Sequence, residues 1–396
     1  MASYRYLTTN LLTNEIISEL PLTGVTYGQS LNEAGSFQGH ILMSDSRIID
    51  TFGTYNPSNQ FTLDYVTTPA KTGLYVERDG VIVWGGIIWS RQYDSNSQTM
   101  SFGAKEFESY LDRRRIGSTV VFASGTDQFT LIKSIVDTAQ TVTGGNIGID
   151  TSGIGTSGQG IAAVYPIFAY QKRSIFDVIL ELSSQYTPYG FDFAIECSYG
   201  TNNVLQRQLK LYYPRRGVSP STNFNAPMLE FPSVMSSYSY PENGTKIVNT
   251  LYGFGPGSSE GQYIATGTST SSLGAGYPVL EDVLSLTQIP DPNVVVARTN
   301  AEVAARSVPV VVLSASWVSA SAPVEYINNS QLVTSQVPVS PQVGSFGLGD
   351  TFRIRITDTR FPSTFETLLR LRGFDVAVGD SGSAEVVSGQ FVVSTY

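Results

Sequence analysis

The chain has 396 residues, 41% of them hydrophobic, with 37 Gly and 19 Pro, which is long enough for several domains and rich enough in turn formers to favour β structure. A formal net charge of -9 argues against a dedicated nucleic-acid binder, because phosphate recognition needs clustered Lys and Arg; the low charged fraction of 14% leaves an uncharged polar surface suited to protein contacts. A single Cys excludes an intrachain disulfide framework and a cysteine-rich metal site.

Residues 1–116 read as β-rich. YRYLTTNLL, IISELPL, SFQGHILMS and FTLDYV are strand-like runs, each bounded by Gly, Pro, Asn or Ser. The strongest local signal is GLYVERDGVIVWGGIIWS, where Asp79 and Gly80 between β-branched and aromatic residues predict a tight hairpin. AKEFESYLDRRR predicts a short helix with Phe107, Tyr110 and Leu111 on one face and Arg113 to Arg115 in its last turn, where cations complement the helix dipole. The opening residues lack a basic stretch followed by an unbroken apolar core, and no run reaches the ~18 apolar residues of a membrane span.

Residues 117–228 predict a mixed α/β insertion. Phe129, Ile132, Ile135, Val136 and Ala139 recur at helical spacing near 127–142; Ile175, Val178, Ile179 and Leu182 do so near 174–185, behind a capping pattern from Ser174 to Asp177. A Gly/Ser/Thr loop around Gly153 separates them, and a hairpin follows at 190–213, with Cys197 on the same alternating face as Phe191, Phe193 and Ile195.

Residues 229–396 return to β character. GTKIVNTLYGFGPG predicts a strand, the polar stretch from Ser258 to Tyr277 an exposed loop, and NVVVARTNAEVAARSV a helix near 294–307 stopped by Pro309. A turn at Gly349 and Asp350 opens the strands DTFRIRIT, TLLRLRGFDVAV and AEVVSGQFVVS. The stretch from Gly86, with its turn at Asp94, is echoed by the stretch from Gly373, with its turn at Asp380. The echo hints at two related β domains bracketing the middle.

Catalytic signatures fail on context. GDSG at Gly379 has its His40 on an alternating strand, whereas a serine protease needs that base on a loop beside its partner. GIGTSG at Gly153 lacks the strand before it and the helix after it that a dinucleotide site requires. Asp45, Asp50 and Asp64, or Glu106 and Glu108, are carboxylates from which a glycosidase pair would have to come, but no spacing singles two out. No catalytic, cofactor-binding or metal-ligating residue emerges. Trp84 and Trp89, with Ser258, Tyr263 and Tyr277 of the polar stretch, are the candidate interface residues, since aromatics on alternating strands serve core or interface.

In its order of segments the chain resembles the baseplate hub proteins of tailed bacteriophages, especially the minor tail proteins of long-tailed phages infecting actinobacteria. The resemblance lies in GLYVERDGVIVWGGIIWSRQYD with its helix EFESYLDRRR, RSIFDVILELSSQYTPYGFDFAI, NGTKIVNTLYGFG and LGDTFRIRI with the terminal hairpin. It implies two tail-tube-like β-barrel domains, 1–116 and 229–396, bracketing a smaller helix-pair and hairpin domain. It also implies a homotrimer that adapts a sixfold tail tube to a threefold tip and encloses the channel. The implied partners are the distal tail protein, the tape-measure C-terminus and a central fibre or spike, with DNA only in passage and no cofactor. The implied location is the virion tail tip, assembled in the host cytoplasm. Some relatives carry a further lytic or fibre module; this sequence stops after its last predicted hairpin. The alternatives are a hexameric distal tail protein, a receptor- or carbohydrate-binding tail component, and a tail-associated glycosidase.

Overall fold

A computed structural model describes residues 2–52, 62–161, 164–185, 190–218, 226–287, 289, 291–328, 331–379 and 384–393. The predicted turn residue Asp380 lies outside them.

The first part of the chain lays down β1 (Tyr4–Asn10), β2 (Ile16–Glu19), β3 (Thr23–Ser30) and β4 (Ser36–Leu42), then α1 (Ser46–Phe52) and α2 (Leu63–Val66), then β5 (Thr72–Arg78), β6 (Val81–Asp94), β7 (Thr99–Glu106) and α3 (Glu108–Arg113). The turn between β5 and β6 has both residues at positive φ, Asp79 at 50° and Gly80 at 83°, the left-handed geometry whose twist matches a hairpin and which Asp and Gly tolerate. FTLDYV, read as a strand, instead forms α2, because Thr62 Oγ1 accepts from Tyr65 N at 3.2 Å and caps a helical turn.

Strands β5 and β6 explain their own apolar composition. Leu74, Val76, Trp84 and Ile88 face one core, while Tyr75, Ile82 and Ile87 face another. The hairpin is a wall between two cores, and a strand buried on both faces reads as a continuous apolar run rather than an alternating one. Gly86, placed near a turn by the sequence echo, lies inside β6 opposite Leu74 and Glu106. A Cβ there would stand 2.2 Å from Lys105 O and 2.5 Å from Trp84 Cη2. Gly86→Ala is therefore expected to lower stability by about 1–3 kcal/mol through overpacking, read as an earlier denaturation midpoint; an unchanged midpoint would refute that role for Gly86.

The second core belongs to the middle of the chain: β8 (Val120–Phe122), α4 (Gln128–Gln140), β9 (Ile149–Asp150), β10 (Tyr165–Ile167), α5 (Ile175–Gln185), β11 (Asp192–Tyr199) and β12 (Leu205–Tyr212). Asp127 caps α4 by accepting from Phe129 N and Thr130 N, and Ser174 Oγ accepts from Asp177 N at the start of α5. Their apolar faces, including Phe129, Ile132, Val178 and Leu182, pack with Leu7, Tyr75 and Phe107 of the first part.

The remaining elements are β13 (Met228–Phe231), β14 (Met235–Ser239), β15 (Glu242–Asn243), β16 (Thr250–Phe254), β17 (Ile264–Thr268), α6 (Thr270–Gly274), β18 (Glu281–Ser285), α7 (Pro292–Arg306), β19 (Val310–Ser319), β20 (Ser321–Asn328), β21 (Gln331–Pro338), β22 (Thr351–Ile356), β23 (Phe365–Ala377) and β24 (Glu385–Val393). The stretch expected as an exposed loop contains β17, which pairs with β16, and α6, capped by Ser269; alternation in IATGT buries Ala265 and Gly267 against α7.

The protein is mostly β, and early and late strands belong to one sheet of 14 strands. Its path runs β14-β19-β24-β23-β3-β4-β7-β6-β5-β1-β2, open at both ends among the described residues, so it does not close into separate barrels. The splice is β23: its first half pairs with β22 and its second half with β3, with a bulge between Leu371 and Gly373 where the partner changes. One apolar core, with Tyr6, Phe37 and Trp84 from the early strands and Trp317, Phe352 and Phe391 from the late ones, fills both halves.

Candidate functional site

Buried charged side chains, Arg207, Asp192, Arg370, Glu106 and Glu108, collect where the early sheet, the middle hairpin and the late strands meet. Three sets of contacts make this junction, and each joins residues far apart in sequence.

Arg207 of β12 is fully buried. Its guanidinium donates to Tyr75 OH at 2.6 Å, Leu11 O at 3.0 Å, Asn14 Oδ1 at 2.6 Å and Ile147 O, and lies 4.2 Å from the Phe107 ring centroid. Every acceptor is a neutral oxygen. A planar fork with five donors suits this better than any other cation.

Asp192, the first residue of β11, accepts from Asn32 Nδ2 at 3.2 Å, from Arg216 N at 2.8 Å and from Arg370 Nη2. Arg370 of β23 also donates to Gly349 O and Arg216 O. The free edge of β11 is closed by acceptors from the first part of the chain: Asn32 Oδ1 takes Phe193 N at 2.9 Å and Glu108 Oε1 takes Ile195 N. A strand edge covered in this way offers no template for another chain.

The third set lines a cleft of about 310 Å³ bounded by Trp84, Glu106, Glu108, Cys197, Arg216 and Phe346, among others. Glu106 Oε2 accepts from Gly35 N at 2.8 Å and Oε1 from Gln29 Nε2 at 3.0 Å. Glu108 Oε2 is buried with no hydrogen-bond partner among the described residues. Burial, then the neighbouring Glu108 carboxyl, holds Glu106 well above the usual carboxylate range; burial raises Glu108 to about 7 against the opposing pull of the Ile195 N–H. Raised acids in a cleft are a pattern shared with active sites. Here three of the four oxygens hold protein donors and the fourth is enclosed, so the pair orients main chain rather than presenting a carboxyl to a substrate.

A further contact ties the two ends of the fold. Glu385 of β24 accepts from Arg78 Nε at 2.6 Å and from Tyr4 OH at 2.6 Å; burial pushes its carboxyl up, but these partners outweigh it and the net shift is downward.

Of the residues singled out from sequence, Glu106, Glu108, Trp84 and Gly349 belong to this junction and the others lie outside it or at its margins. Asp79 Oδ1 accepts from Ser3 N, and Asp94 Oδ1 from Asn96 N. Asp350 Oδ1 holds Val218 N and Oδ2 holds Gly347 N, while the adjacent Gly349 lies against Arg216. Gly373 sits at the splice opposite Ser30. Trp84, a candidate interface residue, is 1% exposed and donates to Gly28 O at 3.0 Å, so it fills the core of this chain. Trp89 is partly buried, bonded to Ser109 Oγ and packed by Arg113. Ser258 is exposed, Tyr263 is 36% exposed and Tyr277 is half-buried, all at a distance from the junction in the unit of β16, β17 and β18. The loop near Gly153 turns inward in part, since Ser157 Oγ and Gly158 N both donate to Asp127 Oδ2. Among the described residues no group of three or more His, Cys, Asp or Glu is placed to hold a metal ion, and no helix is long and apolar enough to cross a membrane.

The fold is shared with solved tail proteins, two of them from prophages. The chain is similar to prophage tail protein gp18 from Listeria monocytogenes EGD-e (TM-score 0.55, 11% identity, 97% of this chain and 94% of that one). It is similar also to the 43 kDa tail protein of prophage MuSo2 from Shewanella oneidensis (TM-score 0.55, 10% identity, 98% and 97%) and to a tail protein from Neisseria meningitidis MC58 (TM-score 0.54, 10% identity, 98% and 96%). No protein-family model and no curated protein sequence matches the chain.

Proposed function

We propose that the chain is a structural component of the tail of a phage or phage-like particle, and that it acts as a trimeric hub at the tail tip. The observation that carries this reading is the likeness in fold to tail proteins over 97–98% of the chain, the middle unit included. The junction supports it, because a body whose early, middle and late segments are cross-bonded by Arg207, Asp192 and Arg370 is suited to transmit force without coming apart. In this reading the open sheet edges at β2 and β14 are where other chains continue the sheet, and tube-like closure of the units 1–116 and 229–396 belongs to the assembly. The exposed Ser258 and Tyr263 serve partner contacts, with the distal tail protein, the tape-measure C-terminus and a central fibre or spike as partners. The negative charge lines the channel and limits sticking of passing DNA. The role is mechanical and non-enzymatic.

Electron microscopy of the purified protein at high concentration, classified without imposed symmetry, tests the reading. Threefold particles with an open centre are the expected result. Sixfold rings would replace the hub by a distal tail role, and monomers that persist when tail partners are added would overturn both.

A further inference from the structure

The carboxyls of Glu106 and Glu108 are buried side by side at the seam between the early sheet and the middle hairpin, and this arrangement is costly unless something is gained by it. Glu106 ends β7 and holds Gly35 and Gln29 of the early sheet; Glu108 opens α3 and holds the edge of β11 through Ile195 N. The two residues are 7% and 3% exposed. An ionised Glu108 would leave a charged oxygen, Oε2, without a donor and next to a second carboxyl. A neutral acid there removes the charge and the repulsion, leaving only the smaller cost of one unpartnered neutral oxygen.

Of the titratable and charged groups facing the pair, the Tyr27 phenol of β3 is buried and uncharged, and Arg216 draws both carboxyls down without offsetting their burial. From β3 comes the amide of Gln29; from β11 come Glu196 and Cys197; from β12 come Gln208 and, through its field at Cys197, Arg207. The segment after β12 brings Arg216, whose guanidinium is 2.7 Å from Glu196 Oε1 and so already shared. The segment 343–348 contributes Val343, Phe346 and Leu348, which are apolar.

We propose that Glu106 and Glu108 form a proton-held latch: with the pair protonated the cleft stays closed on the edge of β11, and loss of a proton to solvent releases the middle hairpin from the early sheet. The closed form binds protons more tightly than the open form, in which water reaches both carboxyls. The latch is therefore fully set below the ordinary carboxylate range, near pH 4, and the part held by Glu108 is lost as pH rises through about 7. A release at neutral to alkaline pH gives the seam a defined hinge, since the contacts of Arg207 and Arg370 are separate from the pair and hold the rest of the junction. This inference rests on the seam alone and does not depend on the tail reading.

Hydrogen exchange of the full chain, followed by mass spectrometry on the segment 190–199, tests it directly. Protection corrected for intrinsic base catalysis is expected to fall by about tenfold or more between roughly pH 5 and pH 8. In Glu108→Gln, which keeps an acceptor for Ile195 N but cannot ionise, the fall is expected to shrink several-fold because one of the two linked protons is gone, and in the double variant Glu106→Gln with Glu108→Gln the corrected protection is expected to stay within about twofold across that range. Flat protection in the unaltered chain overturns the latch, as does an equal fall in either variant. Should Glu108→Gln fail to fold by circular dichroism, Glu106→Gln is read by the same criteria.

Discussion

Arg207→Met is expected to destabilise the protein by about 3–5 kcal/mol, since several buried hydrogen bonds to one charged donor are lost at about 1.5–3 kcal/mol each, offset in part by relaxation. The loss has two sources. Methionine fills much of the space over the Phe107 ring, so packing is partly kept. It removes the common donor of four oxygens: Asn14 Oδ1 and Tyr75 OH keep their bond to each other, but Leu11 O and Ile147 O are left unsatisfied, and each unsatisfied buried group costs about 1–3 kcal/mol before relaxation. Arg207→Lys keeps the charge but has no planar fork to reach four acceptors, so it should recover less than half of the loss. Arg47→Met is the control: that side chain is 62% exposed and, among the described residues, bonded only to Asp45, and its loss should stay within about 0.5 kcal/mol. Denaturant unfolding of the three variants decides the matter; an Arg207→Met effect no larger than the control would remove Arg207 from the junction's energetics.

The second large effect belongs to Arg370 and Asp192, whose side chains are 5% and 8% exposed. Arg370→Met should cost about 3–5 kcal/mol, since it strands a carboxylate whose remaining donors are Asn32 Nδ2 and the backbone of Arg216. Asp192→Leu should cost a similar amount by stranding the guanidinium. Combining the two removes both charges together, so the double variant should be more stable than the sum of the singles by about 1–3 kcal/mol. Strict additivity would mean that the pair does not act as a unit. The pair binds β11 to β23, so loss of Arg370 should also loosen the middle unit from the late strands before global unfolding, which two probes of unfolding would show as non-coincident transitions.

Local chemistry made much of the fold readable. The Asp79 and Gly80 turn, α4 and α5 with their caps, and the alternation in β11, β12, β22 and β24 are each set by residues within a few positions of one another. The failures have equally local causes. The run TGVTYGQS is β3, interrupted by Gly24, which faces the His40 ring of β4, and by Gly28, which leaves room for Asp375 of β23. IATGT looked like loop because its buried residues are Ala and Gly. The junction was almost invisible, since Asp192, Arg216 and Arg370 meet only after folding. One signal was present: Arg207 alternates with Leu205, Leu209 and Leu211 on one face of its strand, and a cation in an apolar register is a cue to a buried, fully bonded guanidinium. Glu106 and Glu108 were noticed as carboxylates, but their burial depends on α3 and β11 packing together.

The splice at β23 has a consequence for the order in which the protein can be completed. The edge of β3 is satisfied by residues 373–377, which lie more than three-quarters of the way along the chain from it. A ribosome delivers the early sheet first, so β3 waits as an uncovered ladder of main-chain donors and acceptors while the middle and late segments are made. Local pairing is fast and long-range pairing slow, so the sheet is finished late. The final zippering of β23 onto β3 is then a proofreading step, because it requires both ends of the molecule to have been made in register.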